Sequence, residues 1–153
     1  MSIRKKIKSY IPEESSPLQE KFTNYIMLGG KKATARKIFS DTLKIVGKKT
    51  NSDPEKIFKS AIDNAKPEME VRPKRIGGGV YQIPREVPPG RSLALACRWI
   101  INGARNKKGA GMADKLSQEL IDAANNQGLA IKKKEDTHRM AQANKAFAHL
   151  ARY

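Results

Sequence analysis

Met69-Glu-Val-Arg-Pro-Lys-Arg-Ile-Gly-Gly-Gly-Val-Tyr-Gln-Ile-Pro-Arg-Glu-Val87 decides the fold of this chain. Val71 and Ile76 precede the triple glycine Gly77 to Gly79, and Val80, Tyr81, Ile83 and Val87 follow it. β-Branched and apolar runs flanking glycines predict a β-hairpin over 69–87, because glycine reaches the positive φ of a tight reversal without a Cβ clash. Pro73 and Pro84 donate no ladder hydrogen bond, so each needs an outward-facing edge position. Arg72, Lys74, Arg75 and Arg85 make the ribbon cationic. Two strands alone are marginal in water. A basic ribbon between helical segments therefore predicts an arm, mobile in the free protein, that orders against a polyanion.

Outward from the ribbon, the periodicity is helical. Ser16-Pro17 is an N-cap followed by proline, and Leu18, Phe22, Tyr25 and Ile26 recur at helical spacing until Gly29-Gly30. A second helix is predicted from about Lys32 to Val46, with Ile38, Phe39, Leu43 and Val46 inward. Asp53-Pro54-Glu55 opens a third, whose face is Ile57, Phe58, Ala61, Ile62 and Ala65, and Pro67 stops it. After the ribbon, a fourth helix spans about Arg91 to Ala104 and buries Leu93, Cys97, Ile100 and Ala104, with Trp99 beside them. The fifth runs from about Met112 to Asn126 on Leu116, Leu120 and Ala123, with Gly128 as its C-cap. The sixth covers about Lys133 to Leu150, with Met140, Ala143, Phe147 and Leu150 inward. The expected fold is mainly α: one domain over 1–153, a six-helix bundle with a two-stranded β-ribbon arm between helices three and four. Residues 1–15 show no period and form a basic N-terminal arm carrying Arg4, Lys5, Lys6 and Lys8.

Charge names the class of partner. The 153 residues include 31 Lys+Arg against 15 Asp+Glu, a net charge of +16. Such an excess destabilises a compact chain by self-repulsion, and a polyanion relieves it. Outside the two arms the cations gather at Lys31-Lys32 with Arg36-Lys37, at Arg91, Arg98 and Arg105, at Lys107-Lys108, and at Lys132-Lys133-Lys134 with Arg139. Several of these groups sit at helix starts, where backbone N–H groups and the dipole already favour phosphate. Aromatics are few: one Trp, four Tyr and four Phe. Most fall on core faces, Tyr81 excepted, which argues for contact with shaped backbone over a single-strand stacking platform.

Other chemistry finds little support. The acidic residues are scattered, mostly on helix surfaces and caps, whereas a magnesium site needs converging carboxylates. Glu135-Asp136-Thr137-His138 is the one local cluster; its side chains diverge by about 100° each on a helix, so a surface charge network is expected there. His138 and His149 are too far apart to share a metal. Cys97 is the only cysteine, which excludes an intrachain disulfide, suits a reducing compartment, and predicts a small buried hydrophobe. No apolar run approaches a membrane span, and no signal-peptide core precedes the first helix. No enzyme, cofactor or metal is expected. A DNA-bending protein with a β-arm also joins helices to a basic ribbon, but such proteins carry an apolar wedge at the tip, where this chain has three glycines.

Six stretches, in order, are similar to one family. They are Met27-Leu-Gly-Gly-Lys-Lys-Ala-Thr-Ala35, Ala61-Ile-Asp-Asn-Ala-Lys-Pro67, Glu70-Val-Arg-Pro-Lys-Arg-Ile-Gly-Gly78, Tyr81-Gln-Ile-Pro84, Leu95-Ala-Cys-Arg-Trp-Ile100 with Ala104-Arg105, and the long run Ile131-Lys-Lys-Lys-Glu-Asp-Thr-His-Arg-Met-Ala-Gln-Ala-Asn-Lys-Ala-Phe-Ala-His149. Together they resemble the small-subunit ribosomal protein seven family of bacterial or organellar ribosomes. The loop Asn106-Lys-Lys-Gly-Ala-Gly111 and the N-terminus depart from its pattern. The resemblance implies a helical domain with a ribbon arm and no catalysis. It implies a primary binder of the 3′ major domain of small-subunit ribosomal RNA that nucleates assembly of the head. Implied neighbours are exit-site tRNA and mRNA, other head proteins and a platform protein. On this basis Arg4, Lys5, Lys6, Lys8, Lys31, Lys32, Arg36, Arg72, Lys74, Arg75, Arg91 and Arg105, and further Lys132, Lys133 and Arg139, are expected on ribosomal RNA. Val80, Tyr81 and Gln82 are expected near exit-site ligands.

Overall fold

A computed structural model describes residues 10–13 and 15–152. The element order is α1 (Pro17–Ile26), α2 (Lys32–Thr50), α3 (Pro54–Ala65), β1 (Met69–Ile76), β2 (Gly79–Glu86), α4 (Pro89–Asn106), α5 (Met112–Ala124), α6 (Gly128–Ala143) and a closing 3₁₀ segment, Lys145–Arg152. The mainly helical fold with one ribbon between the third and fourth helices is as expected.

Local chemistry sets the helix starts. Ser16 Oγ accepts from the Gln19 N–H at 3.3 Å, while Gln19 Oε1 accepts from the Ser16 N–H at 3.4 Å. This reciprocal box, with Pro17 in the first turn, fixes α1. Asp53 does the same for α3 by accepting from the Glu55 N–H at 3.0 Å.

Three phenylalanines then lock the first three helices together. Phe22, Phe39 and Phe58 meet pairwise with centroids 5.5, 5.1 and 5.2 Å apart, tilted or edge to face. Helix α5 runs through the middle, packed against α2, α3, α4 and α6. Its Leu116, Leu120 and Ala123 are fully buried beside Ile100 and Cys97 of α4. Burial pushes the Cys97 thiol up to about 11, so it is protonated and serves as a small hydrophobe.

The ribbon is antiparallel, pairing Met69 with Glu86 through to Ile76 with Gly79. Gly77 and Gly78 take φ of +54° and +86°, the two left-handed residues that a two-residue hairpin turn requires. Ile83 and Pro84, on opposite faces of β2, are both buried; on the Ile83 face Tyr81 stacks 5.4 Å from Phe147, and the Arg85 guanidinium donates to the Ala151 carbonyl at 3.3 Å. At its root the Glu68 N–H donates to His138 Nε2 at 3.0 Å. The expected free arm is thus in part a packed one, held by α6 and the 3₁₀ segment.

Differences from expectation concentrate at the C-terminal end. The sixth helix starts at Gly128 and stops at Ala143, where the Asn144 side chain donates to the Met140 carbonyl at 2.8 Å. Its inward face is Ala130, Ile131, Thr137 and Ala141, leaving Met140 half exposed rather than in the core. The 3₁₀ segment then changes the phase, and Phe147 turns onto the ribbon. Gly128 does not cap α5; with φ +91° it opens α6, and Asn126 at φ +55° takes the left-handed position before it. Helix α2 runs on to Thr50, four residues beyond the expected end, and stops at left-handed Asn51. Helix α4 gains Pro89 and Gly90 before the expected start and Arg105 and Asn106 after the expected end.

Candidate nucleic-acid interface

Helix α4 organises the cations. Arg91, Arg98 and Arg105 are seven residues apart, about 20° short of two full turns, so they share one face at intervals of about 10.5 Å. Contacts confirm the alignment. Arg91 pairs with Glu70 of the ribbon at 2.8 Å. Arg98 lies 5.5 Å over the Tyr25 ring of α1. The Arg105 guanidinium donates to the Ile26 carbonyl at the end of α1, 3.1 Å away. A row of guanidinium groups therefore runs from the ribbon's root to the loop where Gly29-Gly30 leads into Lys31, Lys32 and Arg36. All three arginines remain exposed. The seven-residue spacing was available in the sequence, and it adds Arg98 to the expected contacts.

Three buried glutamates fix the corners of this surface; the expectation that acidic residues lie mostly on surfaces and caps missed them. Glu20 of α1 takes a bidentate contact from Arg36, 3.1 Å on each oxygen, and an ammonium from Lys32 at 3.0 Å. Glu70 takes Arg72 and Arg91, both at 2.8 Å. Glu119, fully buried on α5, accepts from the Ala130 N–H at 2.9 Å through Oε1, and Oε2 lies 2.9 Å from Lys107 Nζ. Gly103 and Gly128 make room for it: a Cβ on either would stand 2.9 or 3.0 Å from Glu119 Oε1. In this way each glutamate holds cations from a neighbouring element, fixing the side chains at the rim.

These pairs leave charge on the outside. Arg36 keeps over a third of its side chain exposed, and Arg72 and Arg91 more. A guanidinium has five N–H donors, so one held from behind can still offer a fork to phosphate. Among the described residues, Lys31, Arg75, Lys132 and Lys133 make no ion pair and are exposed. Lys74 reaches the Leu150 carbonyl at 3.5 Å, and Arg139 pairs with Asp136 at 3.5 Å in an exposed contact. Val80 and Tyr81 sit just past the ribbon turn, Val80 largely exposed, with Gln82 exposed beside them. Arg4, Lys5, Lys6 and Lys8 lie outside the described residues.

Arg36 holds the Glu20 carboxyl below its ordinary 4.5; burial opposes this and Lys32 adds to it. A carboxyl with a lowered folded value stabilises the protein above its unfolded value, and that contribution is lost as pH falls through the folded value. Glu20→Gln is therefore expected to lower stability at neutral pH, with the difference from the parent closing as pH falls below the ordinary carboxyl range. Urea unfolding of both proteins across that range measures it; a gap that stays constant on acidification would refute the clamp.

No group of three or more His, Cys, Asp or Glu side chains among the described residues could hold a metal ion. Asp136 and His138 are engaged by Arg139 and the Glu68 N–H. No helix among the described residues is long and apolar enough to cross a membrane.

Comparison with known proteins gives one answer. Residues 2–145 match the family described as ribosomal protein S7p/S5e. Among similar proteins is the small ribosomal subunit protein uS7 of Solidesulfovibrio magneticus, 54% identical over 138 residues, covering 90% of this chain and 88% of that one. Its counterpart in Solibacter usitatus is 55% identical over 135 residues, 88% and 86% of the two chains. That of Coprothermobacter proteolyticus is 53% identical over 139 residues, 91% and 89%.

Proposed function

Because this chain belongs to the ribosomal protein S7p/S5e family, we propose that it binds the 3′ major domain of small-subunit ribosomal RNA and nucleates assembly of the head. At the coarser level it is a structural protein of the small ribosomal subunit of a bacterium and not an enzyme. That membership replaces the DNA-bending alternative.

One observation carries the finer reading. The α4 arginine row joins the ribbon's root to the α1–α2 loop as a single cationic track, with Lys132 and Lys133 of α6 alongside. A track about 21 Å long, held from behind by Glu70, the Tyr25 ring and the Ile26 carbonyl, suits the sugar–phosphate backbone of folded RNA, because it can meet several phosphates at once without unpairing bases. The N-terminal arm with Arg4, Lys5, Lys6 and Lys8 extends the contact. Val80, Tyr81 and Gln82 approach exit-site tRNA and mRNA, and neighbouring head proteins and a platform protein share the remaining surface.

Sedimentation of cell extract, followed by crosslinking and sequencing of the attached RNA, tests this. The protein is expected to comigrate with small subunits and to crosslink within the 3′ major domain. Crosslinks confined to another ribosomal RNA domain would sink the assignment.

A further inference from the structure

A groove of about 420 Å³ lies between the last turns of α4 and the first turns of α6. Its working residues are Trp99, Asn102 and Asn106 from α4, and Lys132, Lys133 and Asp136 from α6. Among the described residues, the Asn102 and Asn106 amides, the Trp99 indole N–H and the two ammonium groups make no hydrogen bond or ion pair within the protein. The two asparagines and two lysines are exposed along this groove beside the half-buried Trp99, so their donors and acceptors stand open to a polar ligand.

Position indicates which ligand. At about 100° per residue, Asn102 stands about 40° round α4 from Arg98, Asn106 about 80° and Trp99 about 100°. The groove mouth therefore borders the arginine row, and a strand lying on that row passes over it. Sequence-specific RNA recognition stacks an unpaired base on an aromatic ring and reads its edge by hydrogen bonds. An asparagine amide supplies the donor–acceptor pair that a purine edge needs. The Asp136 carboxylate can accept from an exocyclic amino group, and the two lysines more than offset its charge toward phosphate.

We propose that this groove receives one unpaired purine of the bound RNA, stacked on Trp99, read by Asn102, Asn106 and Asp136, with its flanking phosphates on Lys132 and Lys133. The site rests on the RNA-binding function proposed above and adds a base-specific contact to it. An apolar side chain of a neighbouring protein fits less well, since it would leave two amides and two ammonium groups desolvated.

Trp99 is the only tryptophan, so its fluorescence reports this groove alone. The full chain is titrated with a transcript of the 3′ major domain, following affinity by filter binding and Trp99 by emission and acrylamide accessibility. Binding is expected to quench the emission and shield the indole. Asn102→Ala with Asn106→Ala, both exposed positions, is expected to weaken binding about tenfold and to lose most of the quench. Tight binding with Trp99 emission and accessibility unchanged would overturn the groove while leaving the RNA-binding function standing. Shielding that appears only after other small-subunit proteins are added would overturn it too, because a protein would then fill the site. Failure of the transcript to bind at all would reject the function itself, and this site with it.

Discussion

Lys107→Ala should lower the unfolding free energy by about 3–5 kcal/mol, the range for removing one partner of a buried ion pair. Glu119 is fully buried, and its Oε2 accepts no well-angled hydrogen bond among the described residues, so the Lys107 ammonium at 2.9 Å is its compensation. Asp122, 3.2 Å from the same Nζ, would add repulsion once the cation is gone. Burial pulls the Lys107 pKa down, but Glu119 and Asp122 outweigh it and leave it raised, consistent with a charged lysine at neutral pH. Adding Glu119→Gln to Lys107→Ala should recover part of the loss, because a neutral amide of the same shape has no charge to strand. For a chain of this size the single change is expected to lower Tm by roughly 10 °C. Thermal and urea unfolding of the parent, both single variants and the double variant measure the coupling; strict additivity would show that no buried pair exists.

A second large effect is expected on RNA affinity. Changing Arg91, Arg98 and Arg105 together to alanine should weaken binding to a 3′ major-domain transcript by about a hundredfold at moderate salt, at about 1 kcal/mol per lost charged contact. The dependence of log K on log salt is the sharper readout. For the parent a slope of about −4 or steeper is expected, and each lost phosphate contact should reduce it by about 0.7–0.9. The triple variant should therefore be flatter by about two. Lys48→Ala with Lys49→Ala, exposed cations in the last turn of α2 away from the row, is the comparison and should leave the slope nearly unchanged. If both variants lose equally, diffuse net charge carries binding and the row has no special role. Melting curves accompany the titrations, because Arg105 also ties α4 to the Ile26 carbonyl.

The core was legible where period and burial agree. Phe22, Ile26, Phe58, Ile62, Ile100, Leu116 and Leu120 are buried as the helical spacing predicts. It failed where one helix was extended past its end. Phe147 keeps phase with Met140 only if α6 continues to Leu150, and the Asn144 cap with the following 3₁₀ turn breaks that phase; Met140 itself stands about 180° round α6 from the buried Ile131. Gly128 shows the same limit from the other side. Its glycine suits a positive φ, yet one residue in that conformation can close a helix or open the next; here it opens α6, where the Ala130 N–H donates to the Glu119 carboxylate.

The order of the helices, the ribbon with its glycine turn and the cationic excess were legible in the chain alone. They follow from local propensity, side-chain period and net charge, which neighbouring residues already express; the family resemblance rested instead on the ordered motif stretches. The burial of Glu20, Glu70 and Glu119 beneath the cations, and the groove that Trp99 shares with Lys132 and Lys133, arise only on packing. The same holds for the ribbon leaning on Phe147. Each depends on residues far apart in the chain meeting at a distance of a few ångströms, and the balance of desolvation against pairing exists only after α4, α5 and α6 have packed.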